Sequence, residues 1–201
     1  MEIKTFEAGP LGANNYLLID ENEAVIIDCS EVKSEILKEL EGKVLKYILL
    51  THGHFDHVLG VNEMREKTNA KVLIHQNDIS RMNESAAIMQ SFGVSGVDIP
   101  KADDYINDGD TLSFGNTKIK IIHTPGHTEG CVCYLIDEKL FSGDTLFKDS
   151  VGRCDLPGGN FSKMSDSIKN ILFKLDDNTE VYPGHGPKTS IGYEKQYNEL
   201  I

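Results

Sequence analysis

Thr51-His52-Gly53-His54-Phe55-Asp56-His57 crowds three histidines and a carboxylate into seven positions, directly after the apolar run Tyr47-Ile48-Leu49-Leu50. The run reads as a buried strand, and a short loop at the carboxyl end of such a strand presents several ligands at one point in space. Imidazole nitrogen and carboxylate oxygen suit zinc, iron or manganese. Stacking so many titratable groups in one loop gains nothing for folding, so the cluster is read as a metal site. The chain has seven histidines and places three of them here.

Two further histidines sit in matching contexts. Thr124-Pro125-Gly126-His127-Thr128 follows the strand-like stretch Lys118 to His123, and Tyr182-Pro183-Gly184-His185-Gly186 follows Glu180-Val181. Pro fixes its own φ and Gly supplies turn conformations that other residues avoid, so each following imidazole is held in one direction. Between them, Leu140-Phe141-Ser142-Gly143-Asp144-Thr145 is another apolar run ending on a carboxylate. Four ligands do not close two coordination spheres, whereas His52, His54, Asp56, His57, His127, Asp144 and His185 together suffice for two divalent metal ions, zinc first, with iron or manganese as alternatives.

The chain also carries a faint internal duplication. Asn15 to Asp20, a polar turn and Ala24 to Asp28 form one expected hairpin; Cys133 to Asp137, a turn and Lys139 to Asp144 form the other. Both second strands end on Asp, and each is followed by a helix-like stretch and another strand. Such a repeat is expected when two sheet-and-helix halves pack face to face and build a site at their common edge. Amphipathic helices are expected at Glu31 to Leu40, Val58 to Glu66, Ser165 to Leu175 and Ile191 to Leu200. The stretch Met82 to Pro100 has small residues and methionines without a clean period; a flexible lid and an ordinary surface helix and loop both fit it.

No Pro/Ser-rich linker or charge block divides the 201 residues, so residues 1–201 are read as a single domain. No apolar stretch approaches a membrane span and Met1-Glu2-Ile3-Lys4 lacks a signal peptide, so a soluble, cytoplasmic protein without membrane contact is expected. Cys29, Cys131, Cys133 and Cys154 are expected as reduced thiols, because Cys131 and Cys133 share one strand face and the other two have no CxxC partner. A net charge of -12, with 32 acidic residues spread among 20 basic ones, leaves no basic stripe for nucleic acid. His75 and His123, each closing a strand, are expected to be structural, with His123 close enough in sequence to orient His127.

Taken in order, Thr-His-x-His-x-Asp-His, Thr-Pro-Gly-His-Thr, Ser-Gly-Asp-Thr and Pro-Gly-His resemble the metallo-β-lactamase superfamily from about residue 10 onward. Within it, Gly143 to Phe147 and Val151-Gly152-Arg153 are most similar to glyoxalase II, the hydroxyacylglutathione hydrolases. The resemblance implies an α/β fold, an αββα four-layer sandwich with a binuclear site at one edge of the two sheets. It assigns His52, His54 and His127 to one metal, and Asp56, His57 and His185 to the other, with Asp144 bridging.

Two dications about 3.5 to 4 Å apart, sharing a carboxylate, make a bridging hydroxide available near neutral pH. Asp56 is the candidate catalytic residue that takes up the nucleophile's proton. A thiolate leaves without protonation, which suits a site with no spare general acid and favours thioesters such as hydroxyacylglutathione over oxygen esters and lactones. The substrate loop departs from glyoxalase II. The family's lysine falls at Arg153 and its tyrosine at Asp155, and the C-terminal helical domain of full-length members has no counterpart in the 201 residues. Arg153 is therefore either a substrate-binding carboxylate clamp or one half of an ion pair with Asp155. Two rival functions remain: a mononuclear iron persulfide dioxygenase of related fold, and a non-enzymatic diiron partner module.

Overall fold

Apolar residues occupy both parities of the central strands, as strands sandwiched on both faces require. In β2 (Ala13–Asp20), Leu17 and Ile19 point one way and Tyr16 and Leu18 the other, and all four are buried. The computed structural model describes residues 1–91 and 98–201, and the side chains of all of these except 86–91.

The first sheet runs β1-β2-β3-β4-β5-β6, built from β1 (Glu2–Ala8), β2, β3 (Glu23–Ile27), β4 (Val44–Leu49), β5 (Lys71–Ile74) and β6 (Asp104–Tyr105). The second has the order β14-β13-β10-β9-β8-β7, from β7 (Thr111–Phe114), β8 (Thr117–His123), β9 (Val132–Ile136), β10 (Lys139–Gly143), β13 (Glu180–Pro183) and β14 (Thr189–Ser190). A small hairpin of β11 (Leu146–Phe147) and β12 (Ser150–Val151) stands beside it.

Three apolar clusters define four layers. Tyr16, Leu18, Val25 and Leu49 of the first sheet meet Ile119, Ile121, Tyr134 and Phe141 of the second, forming the core between the sheets. On the outer face of the first sheet, Leu17, Ile26 and Ile48 pack on Ile36 of α1 (Ser34–Glu39) and on Val61 and Met64 of α3 (Val61–Thr68). On the outer face of the second, Cys133, Leu140 and Val181 pack on Met164 of α5 (Phe161–Asp166) and Ile191 of α6 (Ile191–Tyr197). This is the αββα sandwich.

The duplication is visible in the pairing. β2 is antiparallel to β3 and β3 parallel to β4; β9 is antiparallel to β10 and β10 parallel to β13. In each half the strand after the helical crossover lies parallel to the hairpin's second strand, so their carboxyl ends point the same way.

The helices differ from expectation at their ends. The stretch expected over Val58 to Glu66 is two pieces, α2 (Phe55–Val58) and α3, because Gly60 lies against the backbone of Glu31, with only 3.0 Å for a Cβ there. Consequently Asp56 and His57 sit on a helical turn rather than in a loop. The helix expected at Ser165 begins earlier, where Asn160 accepts a capping bond from Lys163 N at 3.0 Å, and continues beyond Asp166 as a wide turn and a tight one. Within the expected lid, Ile79–Ser91 form the helix α4, while residues 92–97 lie outside the described residues. All four cysteines are free thiols. No described helix is long and apolar enough to cross a membrane.

Candidate metal centre

The carboxyl ends of β3, β4, β10 and β13, with the turn after β8, converge at one edge of the sandwich. All seven ligand candidates meet there. Their ligand atoms fall into three overlapping groups, His52/His54/His127, His52/His57/Asp144 and Asp56/His57/His185, each within 4.8 Å. Six of the seven are buried and His185 is half-buried. Asp144 touches both sets: its Oδ2 lies 3.6 Å from His127 Nε2 and 3.8 Å from His185 Nε2, and its Oδ1 lies 3.5 Å from His57 Nε2.

Three of the imidazoles are anchored through the nitrogen that faces away from the centre. His52 Nδ1 lies 3.0 Å from Thr51 Oγ1, His57 Nδ1 is 2.8 Å from Asp28 Oδ2, and His127 Nδ1 donates to the Arg153 carbonyl at 2.7 Å. Each anchor leaves Nε2 turned inward, the arrangement that fixes a ligating tautomer. The inward nitrogens crowd one another, His54 Nδ1 and His127 Nε2 at 2.8 Å and His57 Nε2 and His185 Nε2 at 3.3 Å. Among the described residues, buried His52 Nε2 and Asp144 Oδ1 have no hydrogen-bond partner. Orphaned buried acceptors facing one point fit a cation, because an unpaired buried polar atom is otherwise costly.

Without a metal ion, electrostatics divide the rings. Burial, reinforced by neighbouring rings, holds His52 far below the usual histidine value and His54 down to about 3, so both are neutral and carry free lone pairs. Burial also works against a charge on His57, but Asp56, Asp144 and Asp28 outweigh it and lift the ring to about 10. For Asp56, burial raises the carboxyl, yet His57 and His185 pull it below its ordinary range. Burial opposes the charge on His185 as well, and its bond to Asp56 wins.

Two buried carboxylates beside the centre were not assigned from sequence. Asp28, at the end of β3 with a left-handed φ of 57°, accepts from Thr51 N and Thr51 Oγ1, each at 2.8 Å, as well as from His57. Its signal was present, since it ends its hairpin as Asp144 ends the other. Asp78, fully buried, accepts from Gly53 N at 2.7 Å, Thr128 Oγ1 at 2.8 Å and Gly130 N at 2.6 Å, so it ties the first ligand turn to the His127 turn. Nothing in Gln76-Asn77-Asp78 announces that role.

His123 does not orient His127, as had been expected. It stacks on His75, centroids 4.4 Å apart and planes 6° from parallel, with its Nε2 3.0 Å from the Glu129 carbonyl. The Arg153 main chain takes the orienting place. Gly152 permits this, because a Cβ there would lie 1.9 Å from the Asp144 carbonyl. Gly184 is required in the same way, a Cβ there falling 2.2 Å from Asp144 Oδ1. The Arg153 guanidinium forms a forked pair with Asp155, Nε to Oδ1 at 2.7 Å and Nη2 to Oδ2 at 2.8 Å, with both groups largely exposed. A cavity of about 520 Å³ opens over His54, Asp56, His127, Asp144 and His185, and Arg153 stands on its wall.

With this geometry, the chain belongs to the metallo-beta-lactamase superfamily, whose family profile matches residues 8–185. The probable metallo-hydrolase YqgX of Bacillus subtilis (strain 168) is 34% identical over 100% of this chain and 98% of its own. Among solved structures, the BLEG-1 B3 metallo-beta-lactamase is similar at a TM-score of 0.88 and 35% identity, over 99% of both chains. TTHA1623, solved in a di-iron-bound form, gives 0.87 and 32% over 98% of this chain and 100% of its own. ETHE1 from Myxococcus xanthus gives 0.81 and 30% over 99% and 84%. The chain is a metallo-hydrolase of this superfamily, using divalent metal at a His/Asp centre.

Proposed function

We propose that the protein is a binuclear hydrolase that cleaves thioesters. The observation that carries this reading is the convergence of seven ligand candidates on one cavity floor, with orphaned His52 Nε2 and Asp144 Oδ1 among them. His52, His54 and His127 would hold one ion, Asp56, His57 and His185 the other, and Asp144 both. Two divalent cations held there supply Lewis acidity for the carbonyl and make a water acidic enough to ionise near neutral pH.

The chain's own groups then determine the substrate class. Asp56, ionised and on the cavity floor, accepts the proton of the attacking water as the C–O bond forms. The C–S bond breaks and the electron pair leaves with sulfur as a thiolate; the carboxylic acid formed ionises, Asp56 releases its proton to solvent, and the departed thiolate takes one up, giving a carboxylate and a thiol. Apart from the ligand candidates, Ser150 and Arg153 are the polar side chains on the described wall, and neither is an acid suited to protonating an alkoxide. A thiolate needs no such acid, which favours thioesters, hydroxyacylglutathione among them, over oxygen esters.

A second reading, a mononuclear iron persulfide dioxygenase, draws support from the similarity to ETHE1. The deciding experiment gives the metal-loaded protein a panel of thioesters, oxygen esters and a β-lactam, and follows oxygen uptake with glutathione persulfide in parallel. Thioesters turning over fastest without oxygen uptake supports the proposal. Rapid uptake with persulfide and no thioester cleavage overturns it.

A further inference from the structure

We infer that the substrate places an uncharged, apolar chain in the cavity above the metal centre, an inference that rests on the thioester reading. The floor of the cavity is polar, whereas its described walls are mostly apolar. Leu11 from the β1–β2 turn, Phe55 at the start of α2, Phe147 and Val151 of the small hairpin, and Leu156 all line it. Leu11 remains 49% exposed, a large apolar side chain at the rim that a bound chain would cover. A space of about 520 Å³ holds far more than the reacting carbonyl, and apolar walls reward whatever displaces water from them.

The nearby cations are turned to other partners. Arg153 is the one Lys or Arg on the described wall, and both oxygens of Asp155 occupy its fork. Lys148, at the tip of the hairpin whose strands line the cavity, lies over the Tyr193 ring at 5.5 Å, and Lys188 lies over Tyr182 at 4.0 Å. A substrate carboxylate seeking Arg153 must compete with the Asp155 carboxylate already in its fork. Leu11, Phe147 and Leu156 are therefore specificity-determining residues, and they select an aliphatic or aryl chain over a glutathione-like one that carries two carboxylates and an ammonium.

The test uses straight-chain acyl thioesters of N-acetylcysteamine, an uncharged thiol, from acetyl to octanoyl, with the lactoyl thioester of the same thiol beside lactoylglutathione, all on the metal-loaded full chain. In parallel, alkyl hydroxamates of the same chain lengths, which chelate divalent metal without being cleaved as thioesters, are titrated by calorimetry. Both kcat/KM and hydroxamate affinity are expected to rise by about fourfold per added methylene until the cavity is full. Phe147→Ala and Leu156→Ala should flatten both slopes. Hydroxamate affinity that climbs with chain length while no thioester is cleaved upholds the apolar cavity and removes the thioester reading. Flat slopes in hydroxamate affinity, or lactoylglutathione preferred tenfold or more over its uncharged thioester, overturn the inference.

Discussion

Asp28 Oδ2 lies 2.8 Å from His57 Nδ1, so a carboxylate at the end of β3 fixes the tautomer of an imidazole on α2. The same carboxylate holds the backbone and hydroxyl of Thr51, one residue before His52. One buried side chain thereby aligns both ends of the ligand turn.

Asp28→Asn keeps the side chain's size and a residue type that tolerates left-handed φ, but an amide cannot accept all three bonds. With an N–H facing His57 Nδ1, the ring proton moves to the inward Nε2. Metal affinity should fall about 10- to 100-fold with the fold intact, measured by chelator competition and circular dichroism. Unchanged affinity would show that His57 does not depend on Asp28.

Asp144→Asn tests the bridge. Because Asp144 approaches members of both histidine sets, the neutral amide should lower occupancy at both sites and reduce turnover in parallel, by about 100-fold or more. Elemental analysis showing wild-type occupancy at both sites would remove Asp144 from the bridging role.

Asp78→Ala leaves Gly53 N, Gly130 N and Thr128 Oγ1 without their acceptor. Unpaired buried donors cost about 1 to 3 kcal/mol each, partly relieved if water enters, so a loss of roughly 2 to 5 kcal/mol is expected. Urea unfolding of the metal-free protein should show a lower midpoint at unchanged slope. A loss under about 1 kcal/mol would contradict the tie between the two turns.

Arg153→Ala removes an exposed ion pair but leaves the carbonyl that His127 uses. Pairs of this kind contribute about 0 to 1 kcal/mol, so the melting temperature should drop by less than about 4 °C, and metal content should hold. Charged and uncharged thioesters should change by the same factor. A selective loss with lactoylglutathione would instead identify Arg153 as the substrate-binding clamp.

The ligand set was legible because its chemistry is local: His52 to His57 are contiguous, and each Pro-Gly-His turn announces its own histidine. The sandwich was legible because the motif order resembles a family with that fold, and because the hairpin of Asn15 to Asp28 is repeated at Cys133 to Asp144. Asp78 was not, since its three partners come from turns 25 to 52 positions away, and no local pattern encodes such a meeting. The partner of His127 was misjudged for the same reason. Proximity in sequence pointed to His123, whereas the chain brings the Arg153 carbonyl back across 26 residues. The edge strands β1 and β7 were missed because their alternation is half solvated and weaker than that of the central strands.

Metal stoichiometry tests the central claim most directly. Protein purified without added metal, analysed for zinc, iron and manganese and then titrated to saturation, should reach two equivalents per chain, with thioester turnover lost on chelation and restored as the second equivalent returns. Saturation at a single equivalent, with turnover complete at one, would contradict a binuclear hydrolase.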